Sequence, residues 1–360
     1  MKPEDRVLDA LNLEEPDRVP FFDFLYEHGS FENILGRKIE KVTPDIIVEG
    51  HKALGVDLMA VNYDPPDNWE EKYVNRNIKV DEWGVKYREV EEMKILPWYL
   101  EGPIKNEEEA NLYIPPDPDA PGRFRTLNKV LELVEDRMAV SLSVSGPLTV
   151  AWMLMGPNYL FKAMASQLKV YYKVMEMATD FIVKIIHRAM KEKNINLIFL
   201  AEDLGDVHGP FCSPKTFCEK ILPFIKRVIR EVKSHNGYLL LHCDGNINPI
   251  LGYLVDAGID AYHPVERKAG MNLKEVKERY GDKICLIGNV DASTTLPFGS
   301  SEEIAKQVDE CLRIAAPGGG YILASDHSIH PGIPGEKAKL LFKIAKKKST
   351  YPFRRILNNI

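Results

Sequence analysis

Residues 238–263 read YLLLHCDGNINPILGYLVDAGIDAYH, and the pattern in this stretch decides the fold. An apolar run at 238–242 is followed by apolar residues at helical spacing, and Gly258 ends that helical segment. A second apolar run, 259–263, follows directly. The stretch therefore predicts one strand–helix–strand unit with two buried parallel strands.

The same alternation continues in both directions along the chain. Apolar runs are separated by helical patterns such as Pro44–Leu54 and 168–193, and a short amphipathic helix opens the chain. Another helix is predicted from Ser213, as its N-cap, to about 234, with Pro214 in its first turn. The eight runs are 19–24, 57–62, 138–145, 196–201, 238–242, 259–263, 284–287 and 321–324. Eight buried strands joined by crossover helices predict an α/β fold, a (β/α)8 TIM barrel, with an open doubly wound sheet as the competing architecture.

The connection between the second and third runs is long, about 63–137, and includes the hairpin-like sequence VDEWGVKY at 80–87. We therefore expect an insertion between strands 2 and 3 of the barrel. No Pro-, Gly- or Ser-rich linker divides the chain. Residues 1–360 are therefore predicted to form a single barrel domain with an N-terminal helical extension.

Composition and charge exclude several classes of protein. The chain has 360 residues, of which 45% are hydrophobic and 28% charged, and this excludes a disordered or fibrous protein. A formal net charge of −6 with interspersed signs argues against a nucleic-acid-binding surface. The most apolar stretch, 139–155, is interrupted by Gly146, Pro147 and serines, so no membrane span is expected. The charged opening and five scattered cysteines without a CxxC motif predict a cytoplasmic enzyme with reduced thiols.

Polar and ionisable residues are concentrated where the predicted strands end. In a barrel, the loops that follow the strands build the active site. The strand-end residues are Asp23, Tyr26, His28, Glu202, Asp203, His242, Cys243, Asp244, His263, Glu266, Asn289, Asp291, Asp326, His327 and His330. Imidazoles and carboxylates that converge in this way are ligands for Zn²⁺, which keeps one position open in catalytic sites.

A metal site can be built from four of these residues. His242 and Asp244 lie two apart, so in an extended segment their side chains point to the same side. His327 would join them across the barrel mouth, and Glu202 would be a fourth ligand or a proton acceptor. Structural roles are the alternatives: a core histidine at 242, a turn and helix cap at Asp244, a cap of the next segment at Glu202 and Asp203, and a surface loop residue at His330. The residues alone leave both interpretations open.

Six segments carry a further signal. They are RVLDALNLEEPDRVPFFDF (6–24), AEDLG (201–205), FCSPKTFCEKILPFIKRV (211–228), LLLHCDGNINPILGYLVDAGIDAYHPVE (239–266), LIGNVDASTTLPFGSSEEI (286–304) and GGGYILASDHSIHPGIPGE (318–336). Together they resemble the uroporphyrinogen decarboxylase superfamily, which includes corrinoid-dependent methyltransferases related to methylcobalamin:coenzyme M methyltransferase. The resemblance covers nearly the whole chain in order, and it implies a (β/α)8 barrel.

The resemblance favours the methyltransferase branch over true uroporphyrinogen decarboxylase. The decarboxylase branch opens with an arginine-rich segment that binds substrate carboxylates, whereas residues 23–28 contain no arginine. The methyltransferase branch carries a zinc pattern of His-x-Cys followed by a distant cysteine. His242 matches the first position, Asp244 stands at the second and His327 at the third. With fewer thiolate ligands, a bound Zn²⁺ would be a stronger Lewis acid.

The resemblance implies methyl transfer between a corrinoid, such as methylcobalamin on a separate carrier protein, and a small thiol or a methyl ether or alcohol. Zn²⁺ would be held by His242, Asp244, His327 and Glu202. Catalytic roles are expected for Glu202, Asp203 and His327, and substrate-binding roles for Asp23, Tyr26, His263, Asn289 and His330.

Two other functions stay open at this point. One is a metal-independent decarboxylase or lyase for a small or tetrapyrrole substrate, with His327 as proton donor and Asp203 or Asp23 as its electrostatic partner. The other is a non-catalytic barrel that binds a corrinoid or tetrapyrrole, although binding alone does not require so many convergent titratable groups. A homodimer is a further expectation, and the 63–137 insertion could be a lid, a docking surface for the carrier protein or the dimer contact.

Overall fold

A curled parallel sheet lies at the centre of the computed structural model, which describes residues 1–89 and 97–353. In chain order the strands are β1 (Leu58–Asn62), β2 (Lys72–Asn75), β3 (Ile78–Val80), β4 (Lys86–Arg88), β5 (Trp98–Glu101), β6 (Ala139–Ser145), β7 (Leu197–Ala201), β8 (Gly205–Asp206), β9 (Gly209–Pro210), β10 (Tyr238–His242), β11 (Ala261–His263), β12 (Cys285–Val290) and β13 (Tyr321–Ser325). The sheet contains β1, β6, β7, β10, β11, β12 and β13, and their spatial order is their chain order. Seven of the eight predicted runs are therefore parallel strands, which confirms the TIM-like α/β class.

The first predicted run, 19–24, bridges the two edge strands of this sheet. Phe21 forms a parallel bridge with Leu323 in β13, and Phe22 forms one with Leu58 in β1. The amide of Phe22 donates to the carbonyl of Leu323 at 3.0 Å. The run makes single bridges and not a full ladder, because Pro20 has no amide hydrogen to donate. The first of the eight predicted strands is thus a segment that bridges the two sheet edges through single residue pairs.

A second sheet follows β1 within the expected insertion. The strands β2, β3, β4 and β5 form a four-stranded antiparallel sheet in that order. The predicted hairpin at 80–87 corresponds to the pairing of β3 with β4, in which Val80 lies opposite Lys86. A buried ion pair anchors the insertion, since Arg123 is fully buried and donates to the Glu82 carboxylate at 2.6 Å.

The helices connect the strands of the parallel sheet. They are α1 (Pro3–Leu11), α2 (His28–Leu35), α3 (Pro44–Leu54), α4 (Glu107–Leu112), α5 (Arg125–Val134), α6 (Pro147–Met155), α7 (Pro157–Ala165), α8 (Lys169–Lys193), α9 (Pro214–Thr216), α10 (Leu222–Ser234), α11 (Asn248–Ala257), α12 (Leu273–Tyr280), α13 (Thr295–Phe298), α14 (Ser301–Ala315) and α15 (Gly335–Lys348). Among the described residues, no helix combines the length and the apolar character that a membrane crossing requires.

The helix predicted from Ser213 to about 234 is divided in the structure. Ser213 caps it as expected, because its hydroxyl accepts from the Thr216 amide. A π-helical turn, Phe217–Ile221, then separates α9 from α10. Pro223 explains the division, since its ring lacks an amide hydrogen and would clash with a carbonyl of the preceding turn in a regular helix.

The core has two parts on opposite faces of the sheet. The larger part lies between the strands and the surrounding helices. The smaller part lies on the inner face of the curled sheet and includes Phe22, Phe199 and Leu240, together with Val7 and Leu11 of α1. The inner core near α1 is formed at the amino ends of the strands. The polar strand-end residues lie at the opposite, carboxyl ends. The candidate site lies there.

Candidate active site

Three side chains from two distant strand ends meet at the carboxyl edge of the sheet. His242 ends β10, and Asp244 follows it by two residues. The Nε2 atom of His242 lies 3.6 Å from Oδ2 of Asp244. The Nε2 atom of His327, just after β13, lies 3.2 Å from the same oxygen. We call His242, Asp244 and His327 the strand-end cluster.

The other nitrogen of each imidazole has its own hydrogen-bond partner. His242 Nδ1 lies 2.8 Å from Nδ1 of His263, which ends the neighbouring strand β11. His327 Nδ1 lies 2.8 Å from the Ser328 hydroxyl oxygen. These contacts fix the two rings so that both Nε2 atoms face the Asp244 carboxylate. Partners of this kind orient histidine ligands in metal sites.

His263 is a buried support for His242 and does not face the open end of the sheet. Its ring is fully buried and packs edge-on against Phe22, Phe24 and Phe199. Burial holds the pKa of His263 well below its ordinary range, so the ring is neutral. Its Nε2 atom is buried and has no partner among the described residues. The substrate-binding role expected for His263 stays a prediction.

The strand-end cluster carries one positive and one negative charge at neutral pH. Burial opposes both charges and is the largest single influence at His327, but the hydrogen bond and negative charge of Asp244, with the charges of Glu266 and Asp326, together outweigh it and raise the His327 pKa to about 9. The Asp244 pKa is lowered in spite of burial, because both imidazoles favour its carboxylate. Burial lowers the pKa of His242. Asp244 and His327 therefore form an ion pair, and burial disfavours a charge on the adjacent His242.

The donor set of the strand-end cluster fits a zinc ion in its chemistry. Imidazole nitrogen and carboxylate oxygen are common zinc ligands. Asp244 Oδ1 is buried without a partner among the described residues, which leaves it free to accept a cation. No choice of one ligand atom from each residue brings all three within 4.8 Å of one another. Two ligands of one Zn²⁺ lie at most ~4.2 Å apart, so at least one imidazole must move when an ion binds.

The two carboxylates after β7 have different surroundings. Glu202 is fully buried, and its carboxylate accepts from the amides of Leu148 and Thr149 at 2.8 and 2.9 Å, in the first turn of α6. Burial raises the Glu202 pKa to about 7. Glu202 thus caps α6, an earlier helix, and not the segment that follows it, as the alternative from the sequence had it; the ligand role of Glu202 stays a prediction. Asp203 is the carboxylate that interacts electrostatically with His242, Asp244 and His327, and burial raises its pKa.

Asp23 in the first predicted run and Tyr26 just after it lie close to the last strand end. Asp23 is fully buried and accepts from the Ser325 amide at 3.0 Å and from the Ser325 hydroxyl at 2.8 Å. Burial raises the Asp23 pKa to about 7. Tyr26 is 37% exposed, and its hydroxyl lies 3.4 Å from that of Ser328, which in turn contacts His327. The structure thus connects Tyr26 to the strand-end cluster through one serine.

Asn289 and His330 are occupied by the protein's own backbone. The Asn289 side-chain amide is buried and donates to the Val265 carbonyl at 2.8 Å. His330 uses Nε2 on the Ala292 carbonyl at 3.0 Å and accepts from the Gly332 amide at Nδ1. Their substrate-binding roles stay predictions, and the observed contacts organise loops.

The sequence reasoning did not single out the serines that support the site. Ser325 binds Asp23, and Ser328 binds His327 and lies next to Tyr26. Both serines belong to the segment SDHSIH at 325–330. Their position at a strand end was the available signal, but the candidate residues were selected mainly for side chains that ionise or bind metals.

Comparisons with known proteins give two kinds of relative. The Methylcobamide:CoM methyltransferase MtaA of Methanosarcina barkeri is 25% identical over 221 residues, which are 61% of this chain and 62% of that protein. The uroporphyrinogen decarboxylase of Trichodesmium erythraeum is 31% identical over 140 residues, 38% of each chain. The matches thus span less than two thirds of the length of both relatives. The uroporphyrinogen decarboxylase of Chlorobium luteolum is 24% identical over 328 residues, 87% of this chain and 86% of that protein.

A solved structure confirms the fold over almost the whole chain. A methyltransferase from Methanosarcina mazei has a TM-score of 0.72 at 20% identity, and the match covers 96% of this chain and 99% of that one. Residues 78–348 match the family model described as Uroporphyrinogen decarboxylase (URO-D), well over half of the chain. The resemblance found in the sequence is therefore confirmed, and the chain belongs to the uroporphyrinogen decarboxylase family.

Proposed function

We propose that this protein transfers a methyl group between a corrinoid on a carrier protein and a small thiol or a methyl ether or alcohol. The convergence of two imidazole Nε2 atoms on one Asp244 carboxylate oxygen, at 3.6 and 3.2 Å, carries the proposal. The similarity of this chain to a methylcobamide:CoM methyltransferase supports the same class of reaction.

His242, Asp244 and His327 would hold a zinc ion in this reaction. When bound, the ion would act as a Lewis acid that lowers the pKa of a thiol or polarises an ether oxygen. His263 and Ser328 keep the ligand nitrogens of His242 and His327 directed at Asp244. Such partners orient histidine ligands, and they would limit the movement that brings both rings within reach of one ion.

Neighbouring residues would position the substrate. Asp203 interacts electrostatically with both imidazoles and Asp244, and its negative charge would favour a positively charged group in the site. Tyr26 is partly exposed and lies one serine away from His327, so its hydroxyl can orient a small molecule at the open end of the sheet.

A protein-bound corrinoid would reach the strand-end cluster from the open end of the sheet. The side chain of His327 is 46% exposed, and the nearby segment after β7 exposes Val207 and Phe211. A large cofactor carried by a partner protein needs such access to the reacting group. The corrinoid carrier, the cytoplasmic location and the homodimer are all part of this proposal.

Metal content and methyl transfer test the proposal together. The protein is purified without chelators or a metal-affinity tag, and zinc per chain is measured by elemental mass spectrometry. Methyl transfer is then assayed with methylcobalamin and a panel of thiols, and in the reverse direction with methyl ethers. We expect His242→Ala to lose one zinc per chain together with the activity.

His208→Ala is the matched control, because His208 is an exposed histidine in the turn after β7. It should keep both zinc and activity. Metal content that is the same in wild type and His242→Ala would remove His242 from the site. A zinc-loaded protein that binds a corrinoid without any turnover would instead favour a non-catalytic binding barrel.

One observation favours a second candidate, a metal-independent lyase or decarboxylase. Against burial, the hydrogen bond and charge of Asp244 together with nearby carboxylates raise the His327 pKa to about 9, which favours a protonated imidazole at neutral pH. The same imidazole is partly exposed. A protonated imidazole can donate to a carbanion that forms when carbon dioxide leaves. Activity that survives chelators and is lost in His327→Gln would support this candidate over the metal-dependent reaction.

A further inference from the structure

A second group of two histidines and a carboxylate lies on the outer helices. His187 belongs to α8, Glu231 to α10, and His235 follows the end of α10. We call these three residues the helix cluster. Glu231 Oε1 lies 2.9 Å from His187 Nδ1 and 3.0 Å from His235 Nε2, and the two nitrogens are 3.3 Å apart.

The helix positions explain why these atoms meet. Glu231 and His235 are four residues apart, so they lie on the same face of the helical turn. The α8 and α10 helices pack against each other, and His187 reaches across from α8 to that face. Glu231 is the least exposed of the three at 19%, whereas 45% of the His187 side chain is exposed. The cluster is therefore anchored on one side and open to water on the other.

The donor spacing is that of one face of a coordination tetrahedron. Ligands at ~2.0–2.1 Å from a tetrahedral Zn²⁺ lie ~3.3–3.4 Å from one another. The three observed distances of 2.9, 3.0 and 3.3 Å approach this value. A point ~2.0–2.1 Å from all three atoms already exists just outside their plane, so an ion can be placed without moving the helices. The strand-end cluster does not have this property.

Neighbouring arginines do not compete for the carboxylate. Arg227, one turn before Glu231, pairs with Glu176 and Asp180 on α8. Among the described residues, the ion pairs of Glu231 are made with the two imidazoles. Its negative charge is thus available to offset the charge of a divalent cation.

We propose that the helix cluster binds a divalent transition-metal ion, with Zn²⁺ as the principal candidate, and that the ion joins α8 to α10. Imidazole and carboxylate ligands suit Zn²⁺, Co²⁺, Ni²⁺ and Cu²⁺ better than Mg²⁺ or Ca²⁺. Water fills the fourth position on the exposed side of His187. This site is separate from the proposed methyl-transfer site, and it does not depend on that function.

The test titrates metal-free, full-length His242→Ala protein with ZnCl2 by calorimetry, so that the strand-end cluster does not contribute its ligand set. One zinc per chain is expected. Glu231→Gln and His187→Gln should each weaken binding by at least about tenfold, because each removes a direct ligand. Glu219→Gln, an exposed carboxylate near the start of α10, is the matched control and should bind zinc like its parent.

Cobalt gives an independent readout in the same variants. Co²⁺ in the helix cluster should show visible absorption typical of four-coordinate nitrogen and oxygen ligands, and Glu231→Gln should lose it. Equal zinc affinity in Glu231→Gln and Glu219→Gln would overturn the proposal. If His242→Ala does not fold, the Glu231 and Glu219 variants are compared in the wild-type background, where Glu231→Gln should lose one zinc per chain and keep methyl-transfer activity.

Discussion

The strand-end cluster and the helix cluster each contain two imidazoles and one carboxylate, but they obtain their geometry in different ways. In the helix cluster, Glu231 and His235 are held close by the helical repeat. His187 Nδ1 and His235 Nε2 are 3.3 Å apart. In the strand-end cluster, His242 ends β10 and His327 follows β13, and they meet only because the sheet curls. The strand-end cluster is the wider of the two.

The comparison shows that tight spacing and functional support are separate properties. The strand-end imidazoles are oriented by His263 and Ser328 from behind and face a site where buried carboxylates gather. The helix cluster lies on a surface between two helices, in an open depression lined by Val183, Arg227, Arg230 and Glu231, and no residue pair like His263 and Ser328 is seen to orient its imidazoles among the described residues. We therefore propose that the strand-end cluster carries the chemical reaction and that the ion in the helix cluster joins α8 to α10.

The largest expected effect separates the two clusters by activity. His242→Ala should lower the rate of methyl transfer by more than about 100-fold. Removing the hydrogen-bond partner of a metal ligand lowers metal affinity or activity by roughly 10–100-fold, and removing the ligand itself should lower it further. The helix cluster should keep its ion in this variant. Steady-state rates and zinc per chain measure the two effects. A variant that loses zinc from both clusters would show that the clusters are coupled.

A smaller effect tests the support behind His242. His263→Phe keeps an aromatic ring among Phe22 and Phe24 but removes the Nδ1 partner of His242. Zinc affinity at the strand-end cluster should fall by roughly 10–100-fold, while the helix cluster is unaffected. Competition with a chromogenic chelator measures the affinity.

The control for this variant is His51→Phe. His51 is also a buried histidine, but its Nδ1 binds the Ile47 carbonyl in α3, away from both clusters. Both variants can change stability, and only His263→Phe should change zinc affinity. Equal affinities would show that His242 does not need its partner.

Buried carboxylates distinguish the strand-end region in its response to pH. Burial raises the Asp23 pKa from its ordinary value of 3.8 to about 7. Between these pH values the folded state holds a proton that the unfolded state has lost, so stability falls as pH rises from about 4 to 7. Asp23→Asn should reduce this fall by on the order of 1–3 kcal/mol.

Urea unfolding at pH 4.5, 6 and 7.5 measures the change. Part of the fall should remain in Asp23→Asn, because burial also raises the pKa of Glu202 to about 7. Glu219→Gln, an exposed carboxylate, should leave the fall as in wild type. An Asp23→Asn curve that runs parallel to wild type would contradict the assignment of the proton to Asp23.

The smallest effect belongs to the helix cluster without metal. Glu231→Gln should change the free energy of unfolding in a chelator by less than about 1 kcal/mol, because partly exposed ion pairs contribute little. With zinc added, wild type should become more stable than Glu231→Gln, since an ion that binds the folded state stabilises it. Thermal unfolding with and without zinc checks both statements. A large loss in the chelator would indicate that the hydrogen bonds themselves hold α8 to α10.

The sequence predicted the strands well because buried parallel strands leave a strong local signal. The runs at 238–242 and 321–324 became β10 and β13 with boundaries within one residue. The exceptions have local causes of their own, a proline at 20 that limits the first run to two bridges and Pro223 in the divided helix. The family resemblance also came from the sequence alone, and the family comparison confirmed it.

Only the tertiary structure decided what each strand-end residue contacts. The sequence placed Glu202 and Asp203 side by side, but the fold directs Glu202 to the amides that begin α6 and exposes Asp203 to the imidazoles. Successive side chains on an extended segment point in opposite directions, and which direction is useful depends on packing partners far away in the chain. The sequence did not predict the helix cluster either, because its members meet through long-range packing: His187 is 44 residues from Glu231 in sequence. Local periodicity determines the elements, and long-range packing determines which side chains meet.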